Sequence, residues 1–123
     1  MRKQEFREAI LGLLQETVDD LPNDAKAFFM RQVLVDFEKS LPHNETNKGQ
    51  SWTDDELRLV LTTPPTKDNI MLLAKAFKRG YGSIEQIFRW AAEDQKAIDA
   101  KRAGDTFVQQ IKRIAREVGW RAT

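Results

Sequence analysis

The chain has 123 residues, of which 41% are hydrophobic and 32% charged, with no cysteine and a formal net charge of +1 at pH 7. This length suits one compact domain with its own core, and the lack of cysteine excludes a disulfide framework and thiolate metal sites. No apolar run approaches the roughly 20 residues of a membrane span, and charged residues interrupt the amino-terminal apolar positions. We therefore expect no secretory signal and a cytoplasmic protein.

The charges are distributed unevenly along the chain. Residues 1–50 hold seven Lys or Arg and nine Asp or Glu, whereas residues 51–123 hold thirteen and ten. This modest basic excess in the second half is a weak indication of a nucleic-acid partner.

Two helices are predicted in residues 1–41. Apolar residues recur at helical spacing over residues 3–18, and Pro22 cannot continue that helix. These apolar residues are Phe6, Ile10, Leu13, Leu14 and Val18. The second helix, over residues 23–40, is apolar on more than one face, which is typical of a helix buried on two sides. One neighbour is the first helix, and the other is either the rest of the chain or a second copy. We therefore expect a helical hairpin and a possible homodimer through residues 3–40.

Residues 42–51 are polar, contain Pro and Gly, and are predicted to be a linker. The second domain, residues 52–123, begins with a T-x-x-E capping box formed by Thr53 and Glu56. The helix behind that box is expected to end at two prolines, residues 64 and 65. Thr66 can cap the next helix, which is predicted to end at Arg79–Gly80 with glycine in the favoured position after a helix.

A further capping box, S-x-x-Q at Ser83 and Gln86, predicts a third helix in this domain. That helix could run on to about residue 102, before a break at Gly104. A last amphipathic helix is predicted over residues 105–118, and the tail is expected to fray unless Trp120 docks. The sequence thus predicts an all-α protein of five or six helices, in which a hairpin precedes a tri-helical unit with a carboxy-terminal helical extension.

Residues suited to catalysis are few. His43 is the only histidine and lies in the predicted linker, whereas zinc sites usually need several His or Cys ligands. The carboxylates of residues 54–56 could be imagined as a magnesium site, but helix capping explains them fully. Gly80-Tyr81-Gly82 follows a predicted helix rather than a strand, so it is interpreted as a turn. We predict no enzymatic activity, cofactor or metal site.

Residues 52–90 have the layout of a helix-turn-helix unit, because three short helices follow one another and a tight turn joins the last two. Such a unit presents the amino-terminal half of its last helix to the major groove. Gln86 is chemically suited to adenine and Arg89 to guanine, while basic residues near the turn could hold phosphates. The predicted DNA-binding residues are Lys75, Lys78, Arg79, Ser83, Gln86 and Arg89.

This region resembles the Myb/SANT-like helix-turn-helix family over about a third of the chain. The resemblance rests on Trp52-Thr53-x-x-Glu56, Leu73-Ala74, Arg79-Gly80 and Ser83-Ile84-x-x-Ile87-x-Arg89-Trp90. It implies that Trp52 and Trp90 are core aromatics, with Phe77 or Tyr81 as the middle aromatic residue. It also implies that Gln86 and Arg89 lie in a helix that reads DNA.

These patterns predict a small, non-enzymatic protein that binds double-stranded DNA, such as a transcription regulator of bacterial or phage type. The alternative is a helical protein-interaction or structural module, in which the apolar surface of residues 25–37 docks a partner helix. A basic face on the last helix, preceded by Lys101 and Arg102, either extends the phosphate-contacting surface or only solubilises the helix. The residues of that face are Lys112, Arg113 and Arg116.

Overall fold

The computed structural model describes residues 1–121, which form seven α-helices and no β-strand. The helices are α1 (Lys3–Leu14), α2 (Lys26–Lys39), α3 (Asp54–Leu61), α4 (Lys67–Phe77), α5 (Tyr81–Ala92), α6 (Gln95–Arg102) and α7 (Thr106–Val118). A short 3-10 turn at Asn23–Ala25 precedes α2. The all-α prediction is confirmed, but the predicted number of five or six helices is not. Within residues 1–121, no helix is both long and apolar enough to cross a bilayer.

The core lies mainly between the helices of the second half. α3 packs against α7, α4 against α5, and α5 against α7, while α2 joins the core by packing Val35 beside α4. The most deeply buried side chains of this core include Leu57, Val60, Ile84, Ile87, Ile111 and Ile114. Burial of each such side chain contributes about 1.5–3 kcal/mol to the free energy of folding. These contacts therefore hold the five helices α2, α3, α4, α5 and α7 together as one unit.

α1 is shorter than the helix predicted over residues 3–18. It ends at Leu14, and the chain then turns, with Asp20 in the left-handed region at φ 54°. The buried Lys26 donates from Nζ to the carbonyl of Leu14 at 2.8 Å and also to the carbonyl of Glu16. A helix end leaves such carbonyls without partners, and a cation satisfies them well. Lys26 thereby joins the end of α1 to the start of α2.

The two amino-terminal helices are poorly covered by the rest of the protein. α1 has no buried residue, and α2 buries only Lys26 and Val35. Eleven large hydrophobic residues are exposed within residues 1–41, against two, Leu59 and Leu72, in residues 42–121. α1 and α2 also line an open apolar groove of about 370 Å³. A surface of this kind is unusual on a monomeric soluble protein.

The start of α3 follows the sequence prediction. Thr53 Oγ1 accepts a hydrogen bond from the backbone N–H of Glu56 at 3.1 Å, and Glu56 Oε1 accepts one from the N–H of Thr53 at 2.8 Å. This reciprocal pair is the predicted capping box. The predicted cap of α4 is also confirmed, because Thr66 Oγ1 accepts from the N–H of Asn69 at 3.3 Å.

We expect Thr53→Ala to lower the free energy of unfolding by about 1 kcal/mol, because it leaves a backbone donor at the start of α3 without its partner. Urea denaturation followed by circular dichroism measures the change. Thr63→Ala, beyond the carboxyl end of the same helix, is the matched control and should cost less. Equal losses for the two variants would contradict a capping role for Thr53.

α5 ends at Ala92 and α6 follows as a separate helix, so the possible continuation to about residue 102, which the sequence left open, does not occur. The backbone of Glu93 is extended, with φ −68° and ψ 141°, and the side chain of Asp94 caps α6. The ammonium of Lys112 on α7 donates to the carbonyls of Ala91 and Glu93 at 3.0 and 2.6 Å. Carbonyls released where α5 ends are therefore satisfied by a residue almost twenty positions further along the chain.

α7 agrees closely with the helix predicted over residues 105–118. Asp105 Oδ1 accepts from the N–H of Val108 at 3.1 Å, and the helix is followed by Gly119 in the left-handed region at φ 70°, which favours glycine. Trp120 docks beyond it, with its ring centroid 6.5 Å from that of Phe88. Residues 122–123 of the predicted tail lie outside the described residues.

Candidate nucleic-acid interface

The turn between α4 and α5 differs from its prediction. The residue in the left-handed conformation is Lys78, at φ 54° and ψ 48°, whereas Gly80 has φ −71° and precedes the first residue of α5. α5 therefore begins at Tyr81, within the predicted Gly-Tyr-Gly turn, and Ser83 lies in its first turn. The predicted S-x-x-Q capping box is wrong, because Lys78 supplies the left-handed residue early and the turn closes before Ser83.

The predicted linker packs on this turn. Asn47 donates from its backbone N–H to the carbonyl of Lys78 at 3.0 Å, and from Nδ2 to the carbonyl of Phe77 at 2.9 Å. The carboxylate of Glu45 lies directly against Gly80, where an added Cβ would collide with it. Residues 44–51 thus cap the end of α4 and cover part of the surface that was expected to meet phosphates.

Arg79 is a structural residue of this turn. Its side chain is 5% exposed and its guanidinium lies 3.9 Å from the centre of the Trp52 ring. Nη1 donates to the carbonyl of Gln50 at 2.7 Å, and Nη2 donates to the carbonyl of Ser51 at 3.2 Å. Burial lowers the pKa of Arg79 from its usual value. Within residues 1–121, Nε has no hydrogen-bond partner, and Arg79 forms part of the wall of a cleft beside α5. With two of its nitrogens held by backbone carbonyls and little surface exposed, Arg79 serves chiefly to hold the turn.

The other two basic residues near the turn differ in their surroundings. Lys75 is half exposed and forms an ion pair with Glu38 of α2, which ties α4 to α2. Lys78 has an exposed side chain. Of the three cations predicted to hold phosphates, Lys78 is therefore the one that is both exposed and outside the ion pairs of the described chain.

The outward side of α5 carries Ser83, Gln86 and Arg89, which we call the α5 row. Residues three apart on a helix lie on one side of it. Ser83 is exposed, Gln86 is partly exposed, and the side chain of Arg89 is 67% exposed. Arg89 also pairs with Glu85, one turn earlier, at 3.0 Å. The opposite side of α5 is buried in the core, so the row is held on a rigid helix and left open.

Ser83 and Gln86 of the α5 row border a cleft of about 870 Å³, whereas Arg89 does not line it. The other walls of the cleft are the chain before α3 and the first half of α7, which contributes Thr106, Phe107, Gln110 and Arg113. Gln110 Nε2 donates to the carbonyl of Trp52 at 3.0 Å, and Arg113 donates to Asp54 at 2.9 Å. Helical periodicity did not indicate that α7 would lie beside α5, because that contact depends on the break between α5 and α6.

The predicted basic face of α7 is not a continuous exposed surface. Lys112 is buried beneath the end of α5, so its placement on that face is wrong. Arg113 is occupied by Asp54, and Arg116 donates to the side chain of Gln95 at 3.0 Å. Arg102, just before α7, lies 4.8 Å from the centre of the Trp90 ring.

The acidic run at the start of α3 serves as caps and ion pairs. Asp54 accepts from Arg113 and Gln110, hydrogen bonds that lower the pKa of its carboxyl group. Asp55 pairs with Arg58 at 2.6 Å, and Glu56 belongs to the capping box. Over residues 1–121, no group of three or more His, Asp or Glu side chains could hold a metal ion. His43 lies 3.4 Å from Glu45 near the α4–α5 turn.

The aromatic side chains within residues 52–120 fall inside the fold, in contrast to the exposed phenylalanines of α1 and α2. Trp52 and Tyr81 are buried, while Phe77 and Trp90 are partly buried and pack against the core. The rings of Trp52 and Phe77 meet edge to face, with centroids 5.3 Å apart. These rings therefore contribute to packing rather than to an exposed surface on which bases could stack.

Comparison with known proteins identifies relatives along almost the whole chain. Residues 46–122 match the family described as "Uncharacterised protein PM1205 C-terminal domain". The "Uncharacterized protein PM1205" of Pasteurella multocida (strain Pm70) is 40% identical over 121 residues, which cover 96% of this chain and 97% of the relative. No solved structure matches the chain. The chain belongs to the PM1205 C-terminal domain family.

Proposed function

We propose that this chain is a small, non-enzymatic DNA-binding protein that presents the α5 row to duplex DNA. The observation that carries the proposal is the exposure of Ser83, Gln86 and Arg89 on one side of a helix whose other side is fixed in the core. Gln and Arg are the side chains best suited to adenine and guanine edges in the major groove. The resemblance of residues 52–90 to the Myb/SANT-like family supports the same use of α5.

The charges near the row predict weak binding with few phosphate contacts. Lys78 is exposed near the start of α5, whereas Arg79 and Lys75 are engaged inside the protein. Each phosphate contact adds to the salt dependence of binding, so few contacts give a shallow dependence. Glu85 adds a negative charge beside Arg89, which lowers the attraction for DNA. We propose a cytoplasmic transcription regulator that acts in pairs, through residues 3–40, to compensate for weak single sites.

Fluorescence anisotropy with labelled duplexes of varied sequence, at two salt concentrations, tests this function. We expect Arg89→Ala to weaken the preferred duplex by about tenfold and to relax sequence preference, because a base contact is lost. Lys78→Ala should weaken all duplexes equally and reduce the salt dependence.

Lys96→Ala, on the exposed side of α6, is the matched control for loss of one positive charge. Circular dichroism shows whether each variant is folded. The proposal fails if the unaltered protein does not bind duplex DNA at low salt, or if Arg89→Ala binds as the Lys96→Ala control does.

The second candidate is a helical protein-interaction module. It is favoured by the eleven exposed hydrophobic residues of residues 1–41, which exceed what a monomer usually leaves open. In this function α2 docks a partner and the core of residues 52–121 is a scaffold. Absence of salt-dependent DNA binding, together with association through residues 1–41, would favour this candidate over the first.

A further inference from the structure

The amino-terminal helices leave an apolar surface exposed. Phe6, Phe28, Phe29 and Phe37 are each 50–59% exposed. At half exposure, four phenylalanines present on the order of 400 Å². One partner contributes about 800 Å² to a standard interface, and exposed Leu and Val residues on the same two helices add to the aromatic area. Of the four phenylalanines, Phe6 and Phe29 line the groove between α1 and α2, and they form the aromatic part of the surface available for pairing there.

The groove between α1 and α2 gives this surface a shape. Phe6, Ile10 and Leu13 line it from α1, and Phe29 and Val33 line it from α2. Leu13 is 71% exposed although it lines an apolar groove. The groove is therefore open along α1, where another helix can complete it.

The charges of α1 are polarised along its axis. Residues 1–4 carry Arg2 and Lys3, followed by Glu5 in the first turn of α1, whereas residues 15–24 carry four carboxylates, with the ammonium of the buried Lys26 engaged by backbone carbonyls at that end. These carboxylates are Glu16, Asp19, Asp20 and Asp24. The two stretches lie at opposite ends of a helix that is about 18 Å long. A helix of opposite direction and identical sequence therefore matches the charges at both ends.

We propose that α1 packs antiparallel against α1 of a second copy, across the groove that it forms with α2. In this arrangement Phe6 faces Leu13 of the second copy, Lys3 faces Glu16, and the twofold axis passes near Ile10. Such a contact is closed, because each copy uses the same surface. The inference rests on the pairing proposed above and does not depend on DNA binding.

Engineered cysteines test the direction of pairing, because the chain contains no cysteine of its own. Under oxidation, Ile10→Cys should form a disulfide-linked dimer. Phe6→Cys and Leu13→Cys should each stay largely unlinked, whereas a mixture of the two variants should give the linked heterodimer. Parallel pairing would instead link each single variant to itself, and that result would overturn the antiparallel arrangement.

A charge exchange tests the same register without oxidation. Lys3→Glu should weaken pairing by about tenfold in sedimentation equilibrium, since like charges then meet at both ends. Adding Glu16→Lys to the same chain should restore it. Lys96→Glu, on α6, is the control for net charge. A failure of the double variant to recover would overturn the proposed register.

Measurement of the oligomeric state separates the antiparallel arrangement of α1 from the pairing on which it rests. A protein that stays monomeric at its highest soluble concentration overturns both. A dimer whose cysteine variants link in the parallel pattern overturns only the antiparallel arrangement. A dimer that persists unchanged in the folded variant Leu13→Asp places the interface elsewhere and also overturns the proposal, whereas its dissociation supports it.

Discussion

Arg79→Ala is expected to lower the free energy of unfolding by about 3 kcal/mol. The substitution leaves the carbonyls of Gln50 and Ser51 without their donor, and because both residues are exposed, water offsets part of the loss of about 1–3 kcal/mol that a buried unsatisfied group incurs. It also removes a cation from the face of Trp52, which contributes about 1–2 kcal/mol when desolvated. These losses share one site and are not fully additive. Urea denaturation measures the total.

Two further variants show whether the loss of stability in Arg79→Ala comes from the buried guanidinium. Lys78→Ala, the exposed neighbour, should change stability by less than about 0.5 kcal/mol. Arg79→Lys keeps the charge but not the two-pronged donor, so most of the loss should remain. If Arg79→Ala were as stable as the unaltered protein but bound DNA more weakly, Arg79 would return to the set of phosphate contacts.

Lys112→Ala is expected to cost about 2–3 kcal/mol of stability. The ammonium donates to the carbonyls of Ala91 and Glu93, where α5 ends, and the side chain is only 9% exposed. Truncation leaves these carbonyls unpaired and removes a positive charge from the negative end of a helix. Thermal unfolding by calorimetry should show a lower midpoint.

Lys112→Met separates packing from hydrogen bonding, because it retains a long apolar side chain without the donor. We expect it to recover part of the loss and no more. Arg116→Ala, one turn later and exposed, is the matched surface control. A Lys112→Ala protein as stable as this control would show that the two hydrogen bonds contribute little.

Local signals predicted the helices that depend on local chemistry. The capping box at Thr53 and Glu56 needs only residues three apart, and the cap at Thr66 is of the same kind. The apolar stripe of α7 is regular, and its predicted bounds are nearly those of the structure. In each of these elements the determining contacts lie within one turn, so a short stretch of sequence contains them.

Sequence reasoning erred, or left the outcome open, where distant residues decide it. The end of α5 is stabilised by Lys112, which follows it by about twenty residues. The start of α5 depends on Lys78 taking a conformation that glycine usually occupies. Periodicity predicts no such contacts, because it describes one helix at a time and treats a Lys on a helix as a surface residue.

The candidate site was predictable in part for the same reason. Helical spacing identified the α5 row, and these three side chains remain at least partly exposed. Arg79 was expected to bind phosphate because a basic residue in a turn is usually solvated. The structure buries this residue instead. Its burial depends on Trp52 and on the carbonyls of Gln50 and Ser51, nearly thirty positions earlier.

The docking of residues 44–51 on the α4–α5 turn has a mechanical consequence. Asn47 of this segment donates a hydrogen bond to the end of α4, and Arg79 donates one to the carbonyl of Gln50 in the segment. α2, which precedes the segment in the chain, packs on α4. α2 is thus anchored to the body instead of swinging on a tether, and Lys26 joins the end of α1 to it. In a protein paired through these helices the separation of the two α5 helices would then be restricted, which would favour binding sites with a narrow range of half-site spacing.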